Sequence, residues 1–214
     1  MTCSQILPVL LVALSVLPTT ASELVVRNAN LNLEFLPAAF DYTLTNAGSS
    51  RSGSDQFDTA FGIAAGGRYS IAGPGDSHGF IVGGHAFADQ ASYAGIGHLS
   101  DFGVRVDGGY GYAFNDTWTT YLMAEAGYGR STFDITSAST FPAVSLSGSS
   151  LRYGVVFGID LTLVERWLVN GDIGWIKSTS SLSGGGVDLS LNRQGLMAAI
   201  GISYRFSTRP RTLE

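Results

Sequence analysis

His98 and Ser100 stand two residues apart in the stretch Gly97 to Asp101, a spacing that puts both side chains on one face of an extended strand. An imidazole beside a hydroxyl is the minimum for a base-activated nucleophile. The pattern has a free centre and arises often by chance, so a polar strand end at headgroup level is the ordinary reading of it. A second set is made of charges spaced through apolar, alternating segments: Asp41, Arg68, His85, Arg105, Asp107, Glu125, Arg152, Asp160, Asp172 and Arg205. With a turn centred on Asp116, Asp107 and Glu125 face each other across two strands. Two such carboxylates repel unless a cation or a proton intervenes, and Arg105 and Arg152 are expected to neutralise them. Paired carboxylates also serve glycoside hydrolysis, but only in a cleft that admits a sugar. Three scattered histidines and the single Cys3 make no metal-ligand spacing. The glycines 184 to 186 do not lead from a strand into a helix, so they are no phosphate loop. No cofactor is expected.

The elements that must position these residues are strands. Eight segments alternate: Leu33 to Leu44, Phe57 to Ile71, Gly79 to Asp89, Leu99 to Phe114, Trp118 to Phe133, Leu151 to Leu163, Trp167 to Ser178, and Leu189 to Phe206. In the fourth, Phe102, Val104, Val106, Tyr110 and Tyr112 share one face, while Gly103, Arg105, Asp107 and Gly109 share the other. A water-soluble eight-stranded barrel buries its apolar faces inside. Here the polar faces hold Arg, Asp, Glu and Gly, so the apolar faces must meet lipid. Phe102 to Tyr112, at roughly 3.3 Å per residue and a tilt near 40°, covers about 25 Å of membrane. Aromatic residues cluster at both depths, as membrane interfaces favour. One belt holds Tyr69, Phe80, Tyr112, Phe114, Trp118, Trp167, Tyr204 and Phe206; the other holds Tyr42, Phe57, Phe102, Tyr128, Tyr153 and Trp175. The links alternate. Those near 73–77, 115–117 and 164–166 are short, and those near 45–55, 90–98, 134–150 and 179–188 are longer and rich in Ser, Gly and Thr. Gly103 and Gly109 face inward and are expected to accept a small polar side chain.

Composition agrees. Charged residues are 14 % of the 214, against roughly 25 % in soluble domains, and Lys177 is the only lysine. No basic cluster suggests nucleic acid. Residues 1–22 read as a secretory signal peptide with an uncharged n-region, 23–32 as a short N-terminal segment, 33–206 as the barrel domain, and 207–214 as a disordered tail.

The chain therefore reads as all-β: an eight-stranded antiparallel up-and-down transmembrane β-barrel, with short periplasmic turns and longer extracellular loops. On strand count, turn alternation and the ending Gly201 to Phe206, it resembles the small outer-membrane barrels of the OmpA transmembrane-domain and OmpX type. The resemblance implies a bacterial outer-membrane location, contact with outer-membrane lipid, and insertion by the outer-membrane assembly machinery, which reads a terminal aromatic such as Phe206. It is one of architecture, and such families include adhesins, anchors and a few enzymes. Lipid A deacylases carry a lipid-facing His-x-Ser-Asn motif, which His98, Ser100 and Asp101 match in part. The expected function is non-enzymatic work at the cell surface by a monomer, such as adhesion, binding of an extracellular ligand through the loops, or membrane support. Two alternatives stand beside it: a narrow gated, porin-like path for ions or small solutes, and a deacylase-like enzyme using His98 and Ser100.

Overall fold

The structure is a computed structural model that describes residues 24–71, 77–95, 97–115, 117–135, 143–164 and 166–206. The expected signal peptide and the expected tail 207–214 lie outside the described residues. Ten strands follow in order: β1 (Leu24–Phe35), β2 (Ala39–Asn46), β3 (Ser49–Gln56), β4 (Thr59–Ile71), β5 (His78–Tyr93), β6 (Gly97–Ala113), β7 (Trp118–Ile135), β8 (Val144–Val164), β9 (Trp167–Gly184) and β10 (Val187–Tyr204). Strands β1, β4, β5, β6, β7, β8, β9 and β10 pair antiparallel in that sequence, and β10 returns to β1. Eight strands close the ring, so no backbone edge faces lipid.

One side of β10 is lined by two strands in succession. β1 pairs with the inner half of β10, from Ala198 to Tyr204, and β2 with its outer half, from Val187 to Arg193. The break falls at Leu36, Pro37 and Ala38, where proline has no N–H to give a ladder. Gly195 of β10 passes this break, where a Cβ would stand 3.2 Å from the Pro37 ring. Backbone bonds from Leu36 to Ala60 and from Phe57 to Ala38 stitch across it. β2 and β3 then form a hairpin that ends the outer sheet at β3.

The first ring strand thus begins at Leu24, well before the expected Leu33. The expected loops are largely strand. Residues 49–56 are β3, and β9 and β10 run to a two-residue turn at Gly185 and Gly186, both at positive φ as a type I′ turn requires. A similar turn at Ala47 and Gly48 closes the β2–β3 hairpin.

The polarity of the wall inverts along the barrel axis. In the membrane span the exposed face is apolar, as in Phe102, Val104 and Val106, while Arg105 and Asp107 between them are buried. Beyond the outer belt the pattern reverses. Ser181 and Ser183 face outward on β9 and Leu182 between them is buried. Phe40, Phe57, Ala91, Leu99, Phe133, Leu146, Leu182, Leu189 and Leu191 pack into one apolar core inside this outer head. The ring is a closed membrane barrel below, and above it an outer sheet that ends at β3 wraps an apolar core of the soluble type.

Candidate functional site

The inner face of β1 reads Asn28, Asn30, Asn32 and Glu34, all buried. Alternation aims every second residue of this strand into the lumen. Glu34 is 0 % exposed and lies at the centre of the charge network. Its carboxylate forms an ion pair with Arg105 Nη2 at 2.5 Å and accepts a hydrogen bond from Arg152 Nη1 at 3.0 Å. Arg152 also reaches Glu125 at 2.9 Å and Asp89 at 3.4 Å. Asp107 and Glu125 are register partners, and different groups neutralise them. Asp107 takes Arg68 at 3.3 Å and His85 at 3.0 Å, whereas Arg105 stands 3.8 Å from Glu125. Towards the periplasm, Arg68 donates to the Tyr121 hydroxyl, which donates to Asp172 at 2.5 Å. His85 Nε2 meets Asn30 at 2.9 Å. Towards the head, Arg193 binds Asp101 at 2.7 Å, and Ser131 donates to Asp101.

Among the described residues, seven carboxylates (Glu34, Asp89, Asp101, Asp107, Glu125, Asp160 and Asp172) and four guanidiniums (Arg68, Arg105, Arg152 and Arg193) are buried in this lumen. Three of the guanidiniums lie over aromatic rings: Arg68 over Tyr121, Arg152 over Phe87 and Arg193 over Phe57. Between Arg68, Arg105 and Met197 remains a space of about 10 Å³, room for one water. No group of three or more His, Cys, Asp or Glu among the described residues is placed to hold a metal.

Eight of the ten expected lumen charges are buried: Arg68, His85, Arg105, Asp107, Glu125, Arg152, Asp160 and Asp172. Two differ. Asp41 is exposed and accepts from Ser54 at 2.6 Å, because it lies in the head, where the polar face is the outer one. Arg205 follows β10 at the periplasmic rim, half-buried, and donates to Thr162. Glu34, Asp89, Asp101 and Arg193 were not among the expected residues. Two of the expected belt aromatics also differ for the reason that displaces Asp41. Phe57 is buried in the head core and Tyr42 packs against it. The remaining belt aromatics face outward. Tyr69, Phe80, Tyr112, Phe114, Trp118, Trp167 and Phe206 are exposed at one end, with Tyr204 half-buried beside them, and Phe102, Tyr128, Tyr153 and Trp175 are exposed at the other.

His98 and Ser100 share the outward parity of Phe102, and both are half-buried. In register, Asp134 stands opposite His98 and Thr132 opposite Ser100. No hydrogen bond joins His98 to Ser100 among the described residues.

The head carries a feature that sequence alone hid. On the outward face of β10, β2 and β3, register rows align Asn192, Asp41 and Ser54, then Ser190, Thr43 and Ser52. Ser54 donates to Asp41, and the Thr43 and Ser52 hydroxyls bond at 2.9 Å. An open depression of about 480 Å³ runs over this grid, with Tyr42 and Gly53 at its edge. Gly53 permits the arrangement, since a Cβ there would lie 2.7 Å from the Tyr42 hydroxyl. At the base of the hairpin, the Tyr93 hydroxyl donates to Asp55 at 2.5 Å. That bond, together with the Gln56 N–H, holds the Asp55 carboxyl below its ordinary value of 3.8.

A closed ring of eight strands, apolar towards lipid and charged within, defines a small β-barrel of the bacterial outer membrane. No family model and no curated protein matches the chain. Among solved structures it is similar to OprG from Pseudomonas aeruginosa, at 14 % identity over 86 % of this chain and 98 % of that one, with a TM-score of 0.50. It is also similar to Neisserial surface protein A, at 15 % identity over 83 % and 97 % with a TM-score of 0.42, and to Ail, the attachment invasion locus protein of Yersinia pestis, at 16 % identity over 84 % and 99 % with a TM-score of 0.39. At these identities the likeness speaks for the fold alone.

Proposed function

We propose that the barrel is a non-enzymatic surface-binding protein whose head takes a polyhydroxylated ligand, a saccharide, on the β10–β2–β3 grid. One observation carries this reading: an open depression of about 480 Å³ floored by two aligned rows of Asn, Asp, Ser and Thr side chains. Carboxylate, amide and hydroxyl groups at the spacing of neighbouring strands, about 4.8 Å, suit the closely spaced donors and acceptors of a sugar ring. The apolar core beneath makes the head a rigid platform, which lowers the ordering cost of binding. The side-chain-filled lumen argues against a pore. The unjoined pair His98 and Ser100 argues against a deacylase. We further propose that the protein acts as a monomer inserted by the outer-membrane assembly machinery.

The test is a panel of immobilised glycans probed with cells that display the wild type or Asp41→Ala/Asn192→Ala at equal levels. The expected result is binding to a subset of glycans that the double variant loses. Glycan binding that is the same for the double variant, or for cells without the protein, would refute the assignment. Lipid A mass spectra that change on expression would move the protein to the enzyme class.

A further inference from the structure

Among the described side chains of the eight ring strands, Arg68, Arg105, Arg152 and Arg193 point inward. Two cations, Arg130 and Lys177, point outward. Each occupies the next outward position beyond a belt aromatic of its own strand: Arg130 beyond Tyr128 and Lys177 beyond Trp175. The belt descends by two residues per strand, since Tyr128 pairs with Leu151 and Tyr153 pairs with Lys177. Arg130, Leu151 and Lys177 form a parallel line one step further out. Strand spacing and rise put the two cations about 16 Å apart.

Neither cation has an ion pair or a side-chain hydrogen bond among the described residues. The outward carboxylate of the same strand, Asp134, lies two outward positions beyond Arg130, about 13 Å away. Above the line the wall of β7, β8 and β9 is hydroxylated by Thr132, Ser147, Ser149, Thr179, Ser181 and Ser183. Below it the wall is the lipid-contacting belt. Long cationic side chains at such a border lay their stems on apolar surface and hold their charges at headgroup depth.

We propose that the outward face of β7–β9 binds a phosphorylated glycolipid of the outer leaflet. Its phosphates meet Arg130 and Lys177, its sugar hydroxyls meet the serines and threonines, and its acyl chains run down the belt. Continuity with the lipid-facing wall selects a lipid over free phosphate. Uncompensated positive charge selects an anionic headgroup over a zwitterionic one. The assignment requires the head to face outside the cell, and it is independent of the saccharide grid.

The experiment measures binding of bisphosphorylated lipid A, dephosphorylated lipid A and inorganic phosphate to the folded protein in zwitterionic micelles, by native mass spectrometry. At roughly 1 kcal/mol per cation near an anionic headgroup, each of Arg130→Gln and Lys177→Gln should weaken the bisphosphorylated lipid about fivefold, and the double variant about 30-fold. Arg51→Gln removes an exposed cation of β3 that is off this line, and should bind as wild type does. Wild type should hold the dephosphorylated lipid about as weakly as the double variant holds the phosphorylated one, a comparison that needs no variant to fold. Equal binding of the two lipids by wild type overturns the proposal. So does a double variant within about twofold of wild type, an equal loss in Arg51→Gln, or competition by inorganic phosphate at equimolar concentration.

Discussion

At the scale of single residues, Glu34 holds the lumen together. Removing it leaves Arg105 and Arg152 buried with fewer anions, and the loss of one member of a buried charge set costs about 3–5 kcal/mol. Glu34→Ala should therefore lower the urea midpoint of the barrel in micelles, read by the gel shift of unboiled protein; an unchanged midpoint would show that the network does not depend on it. Asp55 is the corresponding residue of the head. Tyr93 and the Gln56 N–H favour its ionised form when the hairpin is docked. The contribution is therefore full above the ordinary carboxylate value and is lost as pH falls through the lower docked value. A nitroxide at Ser50 should be more mobile below about pH 3.8 than at pH 7, and this pH dependence should be lost in Asp55→Asn. A pH dependence that survives in Asp55→Asn would contradict the role of Asp55. Asp107 and Glu125 were legible in the sequence because one short turn sets their register. Glu34 was not, because its register with Arg105 and Arg152 depends on ring closure between β1 and its neighbours, which no local pattern encodes.

At the scale of elements, the lipid-facing wall and the packed lumen constrain a strand differently. Val106 is 48 % exposed at mid-span, and Arg105 beside it is 5 % exposed. Val106→Arg places a charge in hydrocarbon and should cost about 2–4 kcal/mol. Ser181→Arg, on the same outward face but in the head, should stay within about 0.5 kcal/mol of wild type. The folded fraction in lipid vesicles compares them, and equal folding would mean that the boundary lies elsewhere. The inward glycines of β6 correct the expectation that they accept a serine. A Cβ at Gly103 would lie 2.3 Å from the Tyr128 carbonyl oxygen, and one at Gly109 would lie 2.0 Å from that of Leu122. Backbone cannot move aside as a side chain can, so Gly109→Ala should fold less well than wild type. The strands from β4 to β10 were legible through their apolar alternation. β1 was legible only from Leu33, because Asn28, Asn30 and Asn32 sit where apolar signals are sought, although their strict period of two marks a lumen face.

At the scale of the whole molecule, one inversion explains what the sequence concealed. The rule of a membrane barrel, apolar out and polar in, holds only up to the outer belt. Past it, water is outside. Ser- and Gly-rich stretches that resemble loops are then the solvent faces of strands, and Phe40, Tyr42 and Phe57 turn inward to build the head core. The same inversion placed Asp41 in the lumen by expectation and on the surface in fact. Planar bilayers should show no conductance steps from the wild type, since charged side chains and the apolar head core both fill the bore. The most direct test of the inversion is single-cysteine labelling along the outward face of β9 in a Cys3→Ser background, with a membrane-impermeant maleimide on intact cells. Cysteines at Ser181 and Ser183 should label, and those at Ile173 and Trp175 should be protected until the membrane is dissolved. Labelling at Ile173 equal to that at Ser183, or labelling of Ser183 only after the outer membrane is opened, would contradict the account.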